Sequence, residues 1–257
     1  MAGRVELFGL QIDNVTMAEA VEAVGRLARS GGKHYVVTPN VDHVVRASKD
    51  AEFLAMCRGA SLILADGAPI VWASRWVGRP LQGRVTGSDL VPRVCELAAR
   101  EGLRIYILGT TDAIAQEAIR RMRQQWPSLQ IAGNYAPPFG FDADWQEQDR
   151  ILQAINTARA EIVFVALGSP KQERWTTRWM PQLDARVVLC IGAGIDYLAG
   201  AVRRAPRWMQ RVGLEWLWRL LQEPGRLWRR YLVEDMAFAR LVALELAKAR
   251  GQRSSTA

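Results

Sequence analysis

The sequence predicts an α/β fold, a doubly wound and mainly parallel sheet of the Rossmann-like kind, followed by a C-terminal helical appendage. Two observations predict the sheet. Short apolar runs without polar alternation recur along the chain, the pattern of strands buried on both faces. Helical patterns fill the intervals between them, as a parallel sheet covered on both sides requires. A third observation sets the appendage apart: between Arg203 and Tyr231 lie eight basic residues, two acidic ones and four of the ten tryptophans. That segment carries +6 of the formal net charge of +8, and the first 202 residues carry +1.

In chain order, the first helix is predicted over Thr16 to Arg29, where Thr16 and Glu19 have capping-box spacing. "HYVVTPN" (34–40) and "SLILADG" (61–67) read as buried strands, as does "RIYILGT" (104–110), which leads into a helix from Asp112 to Gln125. The "DAD" at 142–144 has the letters of a metal-binding aspartate pair. Asp144, three residues before Glu147, is better placed as the N-cap of a helix, and that reading ranks above the metal site. "EIVFVALGSP" (161–170) and "RVVLCIGAGID" (186–196) complete the strands. Ser169, Pro170 and Gln172 together have the form of a capping box with proline at the first helical position. A helix opening there also presents free N–H groups to a phosphate, with Lys171 adding a charge, and both readings can hold at once. From Trp208 the apolar positions 208, 209, 212, 216, 217, 220 and 221 form one helical stripe, opposite Arg211, Glu215, Arg219 and Gln222. "EPGR" ends that helix, "LWRRYL" begins another, and the final "GQRSSTA" reads as disordered.

Composition bounds the function. At 257 residues, 49% hydrophobic and 23% charged, the chain can bury a full core. Cys57, Cys95 and Cys190 are odd in number and lack metal-ligand spacing, which argues against a disulfide framework or structural zinc and for a reducing cytoplasm. His34 and His43 offer neither a ligand set nor a nucleophilic triad. No signal peptide is recognisable and no apolar run reaches about 18 residues, so any membrane contact is expected to be peripheral. Tryptophan with arginine suits an anionic lipid interface, where each basic residue contributes about 1 kcal/mol. Arginines also grip diphosphate bidentately. Nucleic acid is disfavoured, since no recognised motif accompanies the short basic patch.

Each predicted strand ends in glycine or a small polar residue: Thr38 and Asn40, Asp66 and Gly67, Gly109 and Thr110, Gly168 and Ser169, and Gly192 and Gly194, with Asp196 close behind. Ligands of open α/β sheets bind beyond the carboxyl ends of the strands, so these residues are expected to line one crevice. Strand-to-helix turns favour the same residue types for their own reasons. Asp66 in particular reads equally as a half-desolvated general base or as a turn aspartate bonded to nearby backbone N–H groups.

The set "TPNVD", "ADG", "GRVTGSDL", "GSPKQE" and "RAPRWMQRVGLEWLWRLLQEPGRLWRRY" resembles the WecG/TagA/CpsF family of bacterial glycosyltransferases, over nearly the whole chain from about Leu7 to about Leu246. The resemblance implies transfer of a sugar from a UDP-sugar donor to a polyprenyl-diphosphate-linked saccharide at the cytoplasmic membrane face. In the best-known members the sugar is N-acetylmannosamine or its uronic acid, and transfer inverts the anomeric centre without an essential metal or cofactor. Such reactions build teichoic acids and exopolysaccharides. Asp66 matches the family's proposed general base, Thr38 a cleft residue beside it, and Arg84 and Gln172 further active-site positions. Arg219, Arg226 and Arg229 fall in the appendage that, in the family, closes over the cleft and touches the diphosphate. On this reading residues 1–202 form the catalytic nucleotide-sugar domain and 203–257 a membrane-facing appendage. Substrate contacts are expected at Asn40, Gly109, Thr110, Gly168, Ser169, Lys171, Gly192, Gly194 and Asp196, and a homo-oligomer is compatible with the sequence. Two rivals fit less well. An NAD-dependent sugar dehydrogenase or epimerase should carry G-x-G-x-x-G after its first strand, where this chain has "VVTPNVD". A membrane adaptor without turnover would have no reason to gather Thr38, Asp66, Arg84 and Gln172 around one cleft.

Overall fold

The computed structural model describes residues 3–254, leaving aside the side chains of Arg211, Arg226 and residues 252–254. A hairpin of β1 (Arg4–Leu7) and β2 (Leu10–Asp13) precedes α1 (Met17–Arg29). Thr16 Oγ1 accepts the Glu19 N–H while the Glu19 carboxylate accepts the Thr16 N–H at 2.7 Å, which closes the predicted capping box.

The main sheet contains β3 (His34–Val37), β4 (Leu62–Ile63), β5 (Arg104–Gly109), β6 (Gln130–Tyr135), β7 (Ile162–Ala166) and β8 (Val187–Cys190). Their order is β4-β3-β8-β7-β5-β6, and every neighbouring pair runs parallel. The predicted runs supply all of these strands except β6. That strand, "QIAGNY", lies at the edge and stays half-exposed, so it needs no continuous apolar run. Val36, Ile105, Ile107, Phe164 and Leu189 pack on one face against α1, α5 (Gly87–Glu101), α6 (Asp112–Gln125) and α9 (Gly194–Ala199). Val37, Ile63, Val163, Val165 and Val188 meet α2 (Val41–Ala47), α3 (Ala51–Arg58), α4 (Ala68–Trp76), α7 (Trp145–Thr157) and α8 (Lys171–Trp179) on the other. Because β3 leads into α2 on one face and its neighbour β8 leads into α9 on the other, a crevice opens at their carboxyl ends.

The tail departs from its predicted form. The single striped helix is broken into α10 (Arg207–Arg211) and α11 (Glu215–Gln222) at Gly213, which has φ +70°. A Cβ there would lie 2.5 Å from the Trp72 ring, so the close approach to α4 requires glycine. The break at "EPGR" is present, but the next helix, α12 (Pro224–Arg229), already begins at Pro224, where proline suits the first turn. A π-helical turn, Arg230–Glu234, leads into α13 (Ala237–Ser254). The expected disorder of "GQRSSTA" gives way to helix through Ser254, and residues 255–257 lie outside the described residues. Helix α13 is anchored by Val242, which is buried, and by Phe238, Leu241 and Leu246, which pack on the core. The tail's apolar stripe is only partly covered: Met209 is buried, but Trp208 and Leu221 are 61% and 69% exposed, while the Glu215 and Arg219 side chains of the polar face are only 19% and 20% exposed.

Candidate active site

Backbone bonds assemble the crevice. The Asp66 N–H donates to the Pro39 carbonyl at 2.8 Å, joining the ends of β4 and β3, and the Val85 N–H donates to the Ala65 carbonyl at 2.8 Å. Helix α5 then starts against the end of β8. Gly87 is its first residue, and a Cβ on it would lie 2.9 Å from the Ile191 carbonyl oxygen. This placement lets the Gly87 N–H donate to Asp66 Oδ2 at 3.3 Å. Asp66 therefore bonds across the crevice, not within its own turn. Burial raises its pKa to about 6, with the Gly87 N–H opposing the rise, the Glu215 charge adding to it, and His43 and Arg84 lowering it. A carboxyl poised near neutrality can exchange a proton with a bound hydroxyl.

Side chains from both halves of the chain meet at this end of the sheet. Thr38 Oγ1 donates to the Cys190 carbonyl at 3.4 Å. Arg84 reaches Glu215 at 3.1 Å and Gln210 at 3.4 Å, both from the tail. Arg204 pairs with Asp89 and, at 3.6 Å, with the same Glu215. The guanidiniums of Arg204 and Arg219 each lie 5.6 Å from the Tyr197 ring centroid.

A second set of bonds runs beneath the crevice. Arg230 Nη2 donates to Asn40 Oδ1 at 3.4 Å and lies 3.4 Å from Asp42. Asn40 Oδ1 is 2.9 Å from His43 Nδ1, and His43 Nε2 is 3.2 Å from Glu173 Oε1. Glu173 Oε1 also accepts from Gln172 Nε2 at 2.7 Å, while Gln172 Oε1 accepts the Gly192 N–H at 3.0 Å. Burial would push the Glu173 carboxyl up, but the bonds from His43 and Gln172 outweigh it and hold the pKa below the usual carboxylate range.

These bonds overturn one expectation. Ser169 and Gln172 do not form a capping box: Pro170 occupies the N-cap of α8, and Ser169 Oγ is buried without a hydrogen-bond partner among the described residues. Gln172 is turned instead toward Gly192, where it satisfies a backbone N–H at the end of β8. Asp144 does cap α7, accepting the Gln146 and Glu147 N–H groups at 2.9 and 3.2 Å. Among the described residues no group of three or more His, Cys, Asp or Glu side chains could hold a metal ion.

The remaining sequence candidates divide. Thr110 Oγ1 donates to Asp196 Oδ1 at 2.7 Å beside Gly109 at the end of β5. The Gly168 carbonyl accepts the Gln172 N–H at 2.9 Å, and Gly194 opens α9 against α5. Lys171 is exposed and pairs with Asp142 at 3.3 Å, on the segment after β6. Arg229 is 75% exposed and pairs with Glu234 at 3.5 Å. The Arg226 side chain lies outside the described residues. Sequence reasoning did not nominate Arg204, Glu215, Arg230, His43 or Glu173. Glu215 left a legible signal, being one of two acids in a strongly basic segment.

The family model described as "Glycosyl transferase WecG/TagA/CpsF family" matches residues 5–252. A protein of Staphylococcus aureus (strain MRSA252), named N-acetylglucosaminyldiphosphoundecaprenol N-acetyl-beta-D-mannosaminyltransferase, is 28% identical over 228 residues, 88% of this chain and 87% of the relative. A protein of the same name from Bacillus spizizenii (strain ATCC 23059 / NRRL B-14472 / W23) is 32% identical over 198 residues, 77% of this chain and 74% of the relative.

Proposed function

Because the chain belongs to the WecG/TagA/CpsF family of glycosyltransferases, we propose that it transfers N-acetylmannosamine, or a close relative, from UDP to an N-acetylglucosaminyl-diphosphate-polyprenol, with inversion. The observation that carries this reading is Asp66, a carboxyl raised to about 6 at the carboxyl edge of a parallel sheet, with the Arg84 charge acting on it. In the reaction Asp66 takes the proton from the acceptor hydroxyl as its oxygen attacks the anomeric carbon, and UDP leaves from the opposite face. Arg84, Arg204 and Arg219 meet the charge that develops on the departing diphosphate. Arg84 and Arg204 are held ready by Glu215 and exchange it for phosphate oxygens when the donor binds.

We assign catalysis to residues 1–202 and lid closure to residues 203–257. Peripheral attachment to the inner face of the cell membrane is supported by the exposed Trp208, Trp228, Leu232, Val233 and Met236 of the tail. Among the described residues no helix is long and apolar enough to cross a bilayer.

The test is a transfer assay with UDP-N-acetylmannosamine, UDP-N-acetylglucosamine and UDP-glucose as donors and a diphosphate-linked N-acetylglucosamine as acceptor. A disaccharide-diphosphate product with inverted anomeric configuration, formed fastest from UDP-N-acetylmannosamine, is expected. Tight UDP binding without any product would refute an enzymatic role.

A further inference from the structure

A groove of about 500 Å³ lies between α4 and α13, lined by Pro69, Trp72 and Trp76 on one side and Met236, Phe238 and Val242 on the other. Its walls are almost entirely carbon, and Trp76 and Met236 stand at its rim with more than half their surface exposed. Both walls lead out of the crevice. Pro69 follows Asp66 by three residues at the start of α4, and the Trp72 ring packs over Gly213, which joins α10 to α11. On the opposite wall Asp235 is the one charged lining residue among the described residues, and its N–H donates to the carbonyl of Arg230, whose guanidinium reaches Asn40 and Asp42. The Arg230 and His43 charges both act on Asp235, which sets this end of the groove beside the bonded set of Arg230, Asn40, Asp42 and His43.

A polar, arginine-lined crevice that continues into a carbon-lined groove matches an amphiphile with a diphosphate head and a hydrocarbon tail. We infer that the groove holds the first isoprene units of the acceptor's polyprenyl chain, an assignment that rests on the acceptor proposed above. The volume admits a few branched five-carbon units and not a whole long-chain polyprenol, so the remaining chain leaves past Trp76 and Met236 at the rim. Seating the tail here brings the diphosphate to the mouth of the crevice, within reach of the lid arginines. A second copy of the chain or a bilayer acyl chain could cover the carbon walls, but neither accounts for the groove's continuity with the arginine-lined crevice.

The experiment compares two acceptors with the same N-acetylglucosaminyl-diphosphate head in membrane-free and detergent-free solution, one with a farnesyl tail and one with a short unbranched alkyl tail. The unaltered chain should show a KM for the farnesyl acceptor lower by roughly tenfold or more, since its branched tail buries more carbon surface in the groove than the short alkyl tail. Filling the groove with Ala239→Phe or Ala243→Phe should bring the KM ratio of the two acceptors close to one. In parallel, a photoreactive farnesyl diphosphate bound to the unaltered full chain should crosslink within 69–76 and 236–246, a readout that needs no variant to fold and no turnover. A filled variant that keeps the tail-length advantage, or crosslinks confined to other segments, overturns the assignment. A filled variant that changes oligomeric state in sedimentation while keeping that advantage also overturns it, and identifies the groove as an interface between copies. Transfer to both acceptors with equal KM sinks the groove and leaves the proposed function standing. Failure of transfer to either acceptor with any donor sinks the function, and the crosslinks then decide whether the groove binds an isoprenoid.

Discussion

Arg84 donates from Nη1 to Glu215 Oε2 across 3.1 Å, which fastens the first turn of α11 to the loop that follows α4. The Glu215 charge also bears on Asp66, where it adds to the rise that burial produces. Removing that charge with Glu215→Gln should therefore lower the Asp66 pKa and move the acid limb of the kcat profile to lower pH. An unmoved or upward-moved limb would contradict the coupling.

Asp66 must be ionised to accept a proton, so turnover should fall as pH drops through about 6. Asp66→Asn should lower kcat by roughly 10²-fold or more with donor KM retained. Its effect on stability runs the other way. The folded pKa lies above the unfolded value, so the native state binds the extra proton between about 4 and about 6 and loses stability as pH rises through that window. Asp66→Asn should consequently melt higher than the parent at pH 7.5, by on the order of 1 kcal/mol or more, and show no such gain at pH 3.5. Thermal melts at the two pH values provide the check.

His43→Ala would leave Glu173 buried with Gln172 as its remaining partner, a loss expected to cost about 3 kcal/mol in urea unfolding at neutral pH. Glu173 has a depressed folded pKa, so its stabilisation is present above the unfolded value of 4.5 and is lost as pH falls below it. The gap between parent and variant should accordingly narrow in acid. A gap that stays constant down to pH 3 would place the effect in packing against Phe53, whose ring centroid is 5.7 Å from that of His43.

The tail arginines should separate by burial. Arg219, one-fifth exposed beside Tyr197, is expected to act on turnover even with a short-tailed soluble acceptor and no membrane, so Arg219→Ala should lower kcat/KM by roughly tenfold or more. Arg229, three-quarters exposed, is expected to act on attachment to anionic vesicles. Raising salt should weaken that attachment without abolishing it, because screening removes the charge contribution and leaves the exposed rings. Vesicle co-sedimentation across a salt series, run beside the soluble assay, would expose a wrong division if Arg219→Ala affected vesicle binding alone.

The sequence by itself determined the sheet and the place of the crevice. A strand covered on both faces must be apolar at every position, so "YVV", "LIL", "IYIL", "IVFV" and "VVLC" announce themselves, as does the Thr16–Glu19 cap, whose partners lie within one turn. The edge strand β6 left no such run because its side chains stay half-exposed, whereas β4 at the other edge is buried and apolar. Tertiary structure alone decided the rest. Gln172 abandons the cap its spacing suggests because the Gly192 N–H, twenty residues on, needs an acceptor at the end of β8. The stripe from Trp208 to Leu221 looks like a buried helical face, yet Gly213 breaks it against Trp72, and Arg84 and Tyr197 draw Glu215 and Arg219 inward while Trp208 and Leu221 face out. Local spacing encodes interactions within a turn or along a strand, whereas the pairing of charges some 130 residues apart depends on which surfaces the folded sheet brings together.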